Sequence, residues 1–118
     1  MISSLLEAFE RIAHAWSLSE DEKVKLLGIR DIVELRRLQD EPSSALPTEV
    51  LQRIEALFQV YQAINILLQQ PSRADAWMRK ANRAPAFGGK SAMELMLDHG
   101  LDGIRSVRSY LQAEVWAR

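Results

Sequence analysis

Apolar residues recur at steps of three and four along almost the whole chain, a rhythm that belongs to packed helices and to little else. Leu5, Leu6, Phe9, Ile12, Ala13 and Trp16 mark a first amphipathic helix. The longest pattern covers residues 48–69, where Val50, Leu51, Ile54, Leu57, Phe58, Tyr61, Ile64, Leu67 and Leu68 form a broad apolar face. At 1.5 Å per residue that element is roughly 33 Å long, enough for a spine. Such a face is core first and a dimer seam second. No stretch has strand composition, so the expected fold class is all-α.

Punctuation between these patterns sets the other elements. Ser17-Leu18-Ser19 is a break, after which Ser19 and Glu22 have capping-box spacing. Gly28 is placed to end that short helix in the left-handed conformation. A third helix is expected from about Arg30, with Ile32, Val33, Leu35 and Leu38 inward. Residues 42–47, PSSALP, read as a linker. Beyond residue 70, Ser72 and Asp75 are expected to cap a short helix holding Trp77 and Met78. Residues 81–90 are irregular. Ser91 with Glu94 opens a helix that Gly100 closes, and a last helix from Asp102 buries Ile104, Val107, Leu111 and Val115. A length of 118 residues suits one domain or two small helical lobes. Three parts are expected: residues 1–47, 48–70 and 71–118.

Gly89-Lys90-Ser91 invites a nucleotide-binding reading. A phosphate loop needs a first glycine five residues before Gly89, and Ala84 stands there. It also needs a preceding buried strand, whereas DAWMRKAN is helix-forming. The simpler reading is a helix start capped by Ser91.

Composition excludes several other classes. There is no cysteine, hence no disulfide and no thiolate nucleophile or ligand. The start, MISSLLEAFE, lacks the basic region of a signal peptide. The longest uncharged run, residues 56–72, is interrupted by Gln59, Gln62, Asn65, Gln69 and Gln70 and is too short to span a bilayer. A cytoplasmic protein with no membrane partner is expected. The net charge of −1 hides an uneven distribution. Residues 1–70 hold seven basic against eleven acidic residues, whereas residues 71–90 hold Arg73, Arg79, Lys80, Arg83 and Lys90 against Asp75 alone.

Two binding readings follow. Short helix, Gly28, short helix is helix-turn-helix spacing, with Arg30, Arg36 and Arg37 as the candidate DNA contacts. Asp31, Glu34, Asp40 and Glu41 oppose them, a poor electrostatic footprint for a monomer. Enzyme chemistry has less support. His14 and His99 are the only histidines, and no motif supplies a metal site or an acid–base pair. No metal and no cofactor are expected. Asp98-His99, just before Gly100, suits helix capping better than catalysis.

Trp77-Met-Arg-Lys-Ala-Asn82, then Phe87-Gly-Gly-Lys-Ser-Ala-Met-Glu-Leu-Met-Leu-Asp-His-Gly100, then Val107-Arg-Ser-Tyr-Leu111 resemble the C-terminal toxin-binding domain of the Xre/MbcA/ParS antitoxins. Trp16-Ser-Leu-Ser19, Leu26-Leu-Gly28 and Arg53-Ile54 resemble that family's N-terminal helix-turn-helix part and linking helix. The chain departs at Ala92, where proline is common, and in its acidic recognition helix. The resemblance implies an antitoxin that covers the active-site cleft of an ADP-ribosyltransferase-like, often RES-type, toxin consuming NAD. It also implies repression of its own promoter, as a homodimer or a toxin–antitoxin hetero-oligomer. The residues expected to meet toxin are Asn82, Arg83, Phe87, Lys90, Arg105, Arg108, Trp116 and Arg118. Trp77 and Phe87 serve equally well as core. A stand-alone helix-turn-helix regulator is the alternative, and a nucleotide-binding enzyme ranks behind both.

The phosphate-loop near-miss yields a direct test. ATP or GTP with magnesium should leave the melting temperature unchanged; saturable binding abolished by Lys90→Ala would restore the nucleotide reading.

Overall fold

The computed structural model describes residues 4–40 and 46–118. Six helices follow one another: α1 (Ser4–Ala15), α2 (Glu20–Leu27), α3 (Ile32–Asp40), α4 (Thr48–Leu67), α5 (Pro71–Trp77) and α6 (Ala92–Trp116). No strand occurs among the described residues, and the fold class is all-α.

Local chemistry sets most boundaries. After α1, Ser17 takes a left-handed φ of 53°, and the Leu18 N–H donates back to the Ala13 carbonyl at 2.9 Å. That is a glycine-type helix stop performed by a serine. α2 opens on the expected capping box: the Ser19 hydroxyl accepts from the Glu22 N–H, and the Glu22 carboxylate accepts from the Ser19 N–H. It closes on Gly28 at φ 70°. α3 is capped by Asp31, whose Oδ1 accepts from the Glu34 N–H at 3.0 Å.

Three expectations need correction. Val33 does not point inward and is 72% exposed. The inward pair on α3 is Leu35 and Leu38, and Val33 lies about 200° of helical rotation from Leu35. The inward face of α4 is also turned from the one expected. Ala56, Val60 and Ala63 are buried with Val50, Ile54, Leu57 and Ile64, whereas Phe58 is 40% exposed. Counting only large apolar residues missed the two alanines, which let neighbouring helices pack close on that side. On α5 Ser72 is not the cap: Pro71 takes the first turn, and Gln70 precedes it without a side-chain cap. A proline at the first helical position needs no N–H partner there. The break expected at Gly100 is present: its backbone is non-helical (φ 59°, ψ −137°) and divides α6 into two helical halves. Residues 42–45 of the expected linker lie outside the described residues.

α4 is the spine, packed against α1 and most extensively against α6. The buried side chains of all six helices form one cluster, with Phe9, Leu26, Leu35, Ile54, Leu57, Met78, Met96 and Ile104 near its centre. Gly103 allows the kinked halves of α6 to close up, since a Cβ there would overlap the Leu95 carbonyl.

A polar clasp reaches across this cluster. The Arg79 guanidinium donates to the Trp16 carbonyl (3.0 Å), to the Ser17 carbonyl (3.3 Å) and to both Glu22 oxygens (2.9 and 3.1 Å). Carbonyls at the end of α1 carry partial negative charge, and a planar fork matches a carboxylate. That hydrogen bond holds the Glu22 carboxyl below its ordinary value of 4.5, against the opposing effect of desolvation.

A lowered folded-state value contributes stability above the unfolded value and loses it as pH falls through the folded one. The stability gap between the parent and Glu22→Gln should therefore be full at neutral pH and shrink below about pH 4.5. Taking the gap cancels other carboxylates, including Asp75, whose value desolvation raises. Urea melts across that range that show a constant gap would remove the clasp as a source of stability.

Candidate functional site

Residues 78–91 connect α5 to α6 and form a closed, hydrogen-bonded loop. Met78 is buried, and its carbonyl accepts from the Met93 N–H at 2.8 Å, pinning the loop's entry to the start of α6. Asn82 then closes the base. Its N–H donates to the Lys90 carbonyl (3.1 Å), and its carbonyl accepts from the Gly89 N–H (3.0 Å). Its side-chain Oδ1 accepts from the Ala84 N–H at 2.8 Å, the self-bonded turn that asparagine favours. At the tip the Phe87 N–H donates to the Ala84 carbonyl at 2.9 Å. Gly88 and Gly89 follow at φ 56° and 88° with open space where a Cβ would stand. These glycines serve the backbone turn and no close approach.

The Gly-Lys-Ser sequence is thereby accounted for. Ser91 is buried at 2% exposure and caps α6, its hydroxyl accepting from the Glu94 N–H at 3.0 Å while Glu94 returns the bond to the Ser91 N–H. Lys90 pairs with Asp98, eight residues on, at the surface at 3.2 Å. Both groups that would handle a phosphate are engaged.

An aromatic column carries the loop. The Phe87 ring stands edge-on to Trp77 (centroids 5.8 Å, 89°) and to Tyr110 (4.8 Å, 86°). Edge-to-face packing of this kind favours one arrangement over its alternatives. Phe87 is 3% exposed, so its ring holds the loop against α6.

Of the residues expected to meet a partner, Asn82 and Phe87 thus shape the loop from within. Arg83 and Arg105 are exposed and have no ion pair among the described residues. Ala86 from the loop and Asp102, Arg105, Ser106 and Tyr110 from α6 line one shallow hollow, which brings the two elements together. The other residues lie toward the far end of α6. The Arg108 guanidinium donates to the Gln59 side chain at 2.9 Å, and that of Arg118 to the Ile66 carbonyl at 2.6 Å. Trp116 is 89% exposed beside Ile66 and Gln62.

The three arginines expected to meet DNA sit among carboxylates. Arg36 pairs with Glu20, Arg37 with Glu34 at 3.9 Å, and Arg30 loosely with Asp31 at 3.7 Å. Sequence reasoning had no way to see the Arg79 clasp, whose partners lie 57 to 63 positions away. Its only signal was an arginine inside Trp77-Met-Arg-Lys-Ala-Asn82. Among the described residues no three acidic or histidine side chains converge as metal ligands, and no helix is long and apolar enough to cross a membrane.

Residues 62–114 match the antitoxin Xre/MbcA/ParS C-terminal toxin-binding domain. This part of the chain belongs to that family. The matched stretch starts near the end of α4 and includes α5, the closed loop and all but the last residues of α6. It is not a catalytic family. A protein of Sinorhizobium fredii, named as uncharacterized protein y4oB, is similar at 36% identity over 109 residues, covering 92% of this chain and 82% of that one. The similarity therefore reaches well beyond the toxin-binding domain into the N-terminal helices. No solved structure matches the chain significantly.

Because nothing crowds the Gly88 Cβ position, substitutions there isolate the effect of backbone conformation. Gly88→Ala should cost about 1–2 kcal/mol and Gly88→Asn less, since asparagine tolerates the left-handed region. Thermal melts in which Gly88→Asn is as damaging as Gly88→Val would show that space, not φ, selects glycine here.

Proposed function

We propose that this protein is the antitoxin of a toxin–antitoxin pair, neutralising its toxin by direct contact. The observation that carries the reading is the family match over residues 62–114, which falls on the rigid loop and the helix beside it. In this reading the toxin is ADP-ribosyltransferase-like, of the RES type, and consumes NAD. The surface of residues 82–90 and the outer face of α6 cover its active-site cleft, and the pair acts in the cytoplasm. The helix-turn-helix-like α2–α3 segment binds the pair's own promoter as a dimer, with Arg30, Arg36 and Arg37 toward DNA.

Support for the division of labour comes from the side chains. A cleft that accepts a dinucleotide pyrophosphate presents cations of its own, and like charges desolvated together are costly. Arg83, Lys90 and Arg105 therefore suit acidic groups on the cleft rim. Trp116, large and 89% exposed, is the natural buried anchor, since exposed aromatics dominate the energetics of such contacts. Rim charges tune association rates, whereas anchors set dissociation.

Co-expression with the toxin, reading growth and cellular NAD, tests this. Arg83→Glu and Arg105→Glu should slow association and leave partial protection, whereas removal of residues 116–118 should release toxin activity more severely. If the shortened chain folds and still protects fully, the end of α6 is not the plug and the 82–90 loop carries inhibition. If the intact chain neither binds nor protects against a RES-type toxin, the reading itself fails.

A further inference from the structure

Where α2 ends, α4 passes and α6 kinks, the chain leaves a notch of about 620 Å³ lined by Asp21, Lys25, Arg30 and Arg53 with Gly28, Ile29, Leu97 and Gly100. Arg53 is its centre. The side chain rises from α4, occupies the space that a Cβ would take at Gly28 and lies close against Gly100. A Cβ on Gly28 would overlap the guanidinium, and one on Gly100 would lie 3.3 Å from Nη1. Both glycines follow runs of helix whose terminal carbonyls carry partial negative charge, which favours a cation there.

The guanidinium is partly buried yet makes no hydrogen bond or ion pair among the described residues. Its fork of five N–H donors matches an oxyanion bidentately. Lys25 likewise has no carboxylate partner among the described residues, and Arg30 has only its loose, highly exposed contact with Asp31. Asp21 is the one carboxylate on the lining, so three cations face one anion. Arg36, by contrast, is engaged by Glu20 and Gln39, whereas Lys25 and Arg53 have no carboxylate partner among the described residues.

The geometry points to a phosphate-binding notch, with Arg53 as the bidentate ligand and Lys25 and Arg30 as flanking charges. Its phosphate is a backbone group of duplex DNA, because the notch sits beside the turn that precedes α3. This rests on the DNA-contact part of the proposed function and assigns it two residues, Lys25 and Arg53, that lie outside α3.

Two measurements on the full chain separate the notch from that reading. In the first, ¹⁵N-labelled protein is titrated with inorganic phosphate while the side-chain N–H signal of Arg53 is followed. A saturable shift, weakened in Lys25→Gln, is expected. In the second, binding to duplex from upstream of its gene is measured against salt. Each lost phosphate contact should flatten the log–log slope by about 0.9. Arg53→Gln and Lys25→Gln should each show that loss on specific and unrelated duplexes alike, whereas Arg53→Lys keeps the charge and the slope. Lys25 and Arg30 are exposed, so Lys25→Gln and Arg30→Gln keep the test valid if Arg53 variants melt. DNA binding with unaltered slopes, together with no phosphate-dependent shift at Arg53, overturns the notch and leaves DNA contact through α3 standing. A phosphate shift without any DNA binding overturns DNA as the source and leaves a site for free phosphate. Neither signal overturns both.

Discussion

The burial of α4 between α1 and α6 is the constraint on which the other features depend. Its inward arc, from Ala63 and Ala56 through Val60, Ile64 and Leu57 to Ile54, takes up about half the helix circumference. A helix buried that widely fixes the position of both neighbours at once. It sets where α6 must run and where the kink at Gly100 meets the end of α2. Phe58, Gln62 and Ile66 are left on the outer side, in line with Trp116 at the far end of α6. Removing a large side chain from this arc would leave a cavity at the junction of three helices, a loss of about 2–5 kcal/mol.

Polar contacts then add what apolar packing does not specify. Hydrophobic burial is non-directional, so it brings the helices together without fixing how α5 enters the loop. Arg79 supplies the direction, bonding the end of α1 and the cap of α2 with one side chain. Three residues later the chain meets Asn82, whose three hydrogen bonds close the loop, and Phe87 locks it edge-on to Trp77 and Tyr110. The surface of this loop is therefore preorganised, which leaves little conformational entropy to be lost there.

Charge is arranged with the same economy. Carboxylates of α2 and α3 engage Arg36 and Arg37, while Asp98 engages Lys90. Among the described residues, the cations without a carboxylate partner include Arg83 and Arg105 beside the loop, and Lys25 and Arg53 beside the α2–α3 turn. Surface ion pairs contribute little to stability, so their main effect is to decide which cations remain available to a partner.

The sequence by itself determined most of what depends on near neighbours, the cap of α5 excepted. The three-and-four rhythm specified helices, the capping boxes at Ser19 and Ser91 and the stop at Gly28 marked ends, and the 77–111 motifs identified the family of the C-terminal part. These signals act within a turn or two, so linear order preserves them. What only the tertiary structure decided involves distant partners. Whether Val33 and Phe58 face in or out depends on which neighbour covers each arc, and a pattern of large apolar residues cannot register the alanines that allow close packing. The same holds for Phe87, which periodicity left open between core and surface. Arg79 and Arg53 look like any surface arginine in sequence; one is engaged by α1 and α2, and the other lies beside Gly28 and Gly100 with no acceptor among the described residues.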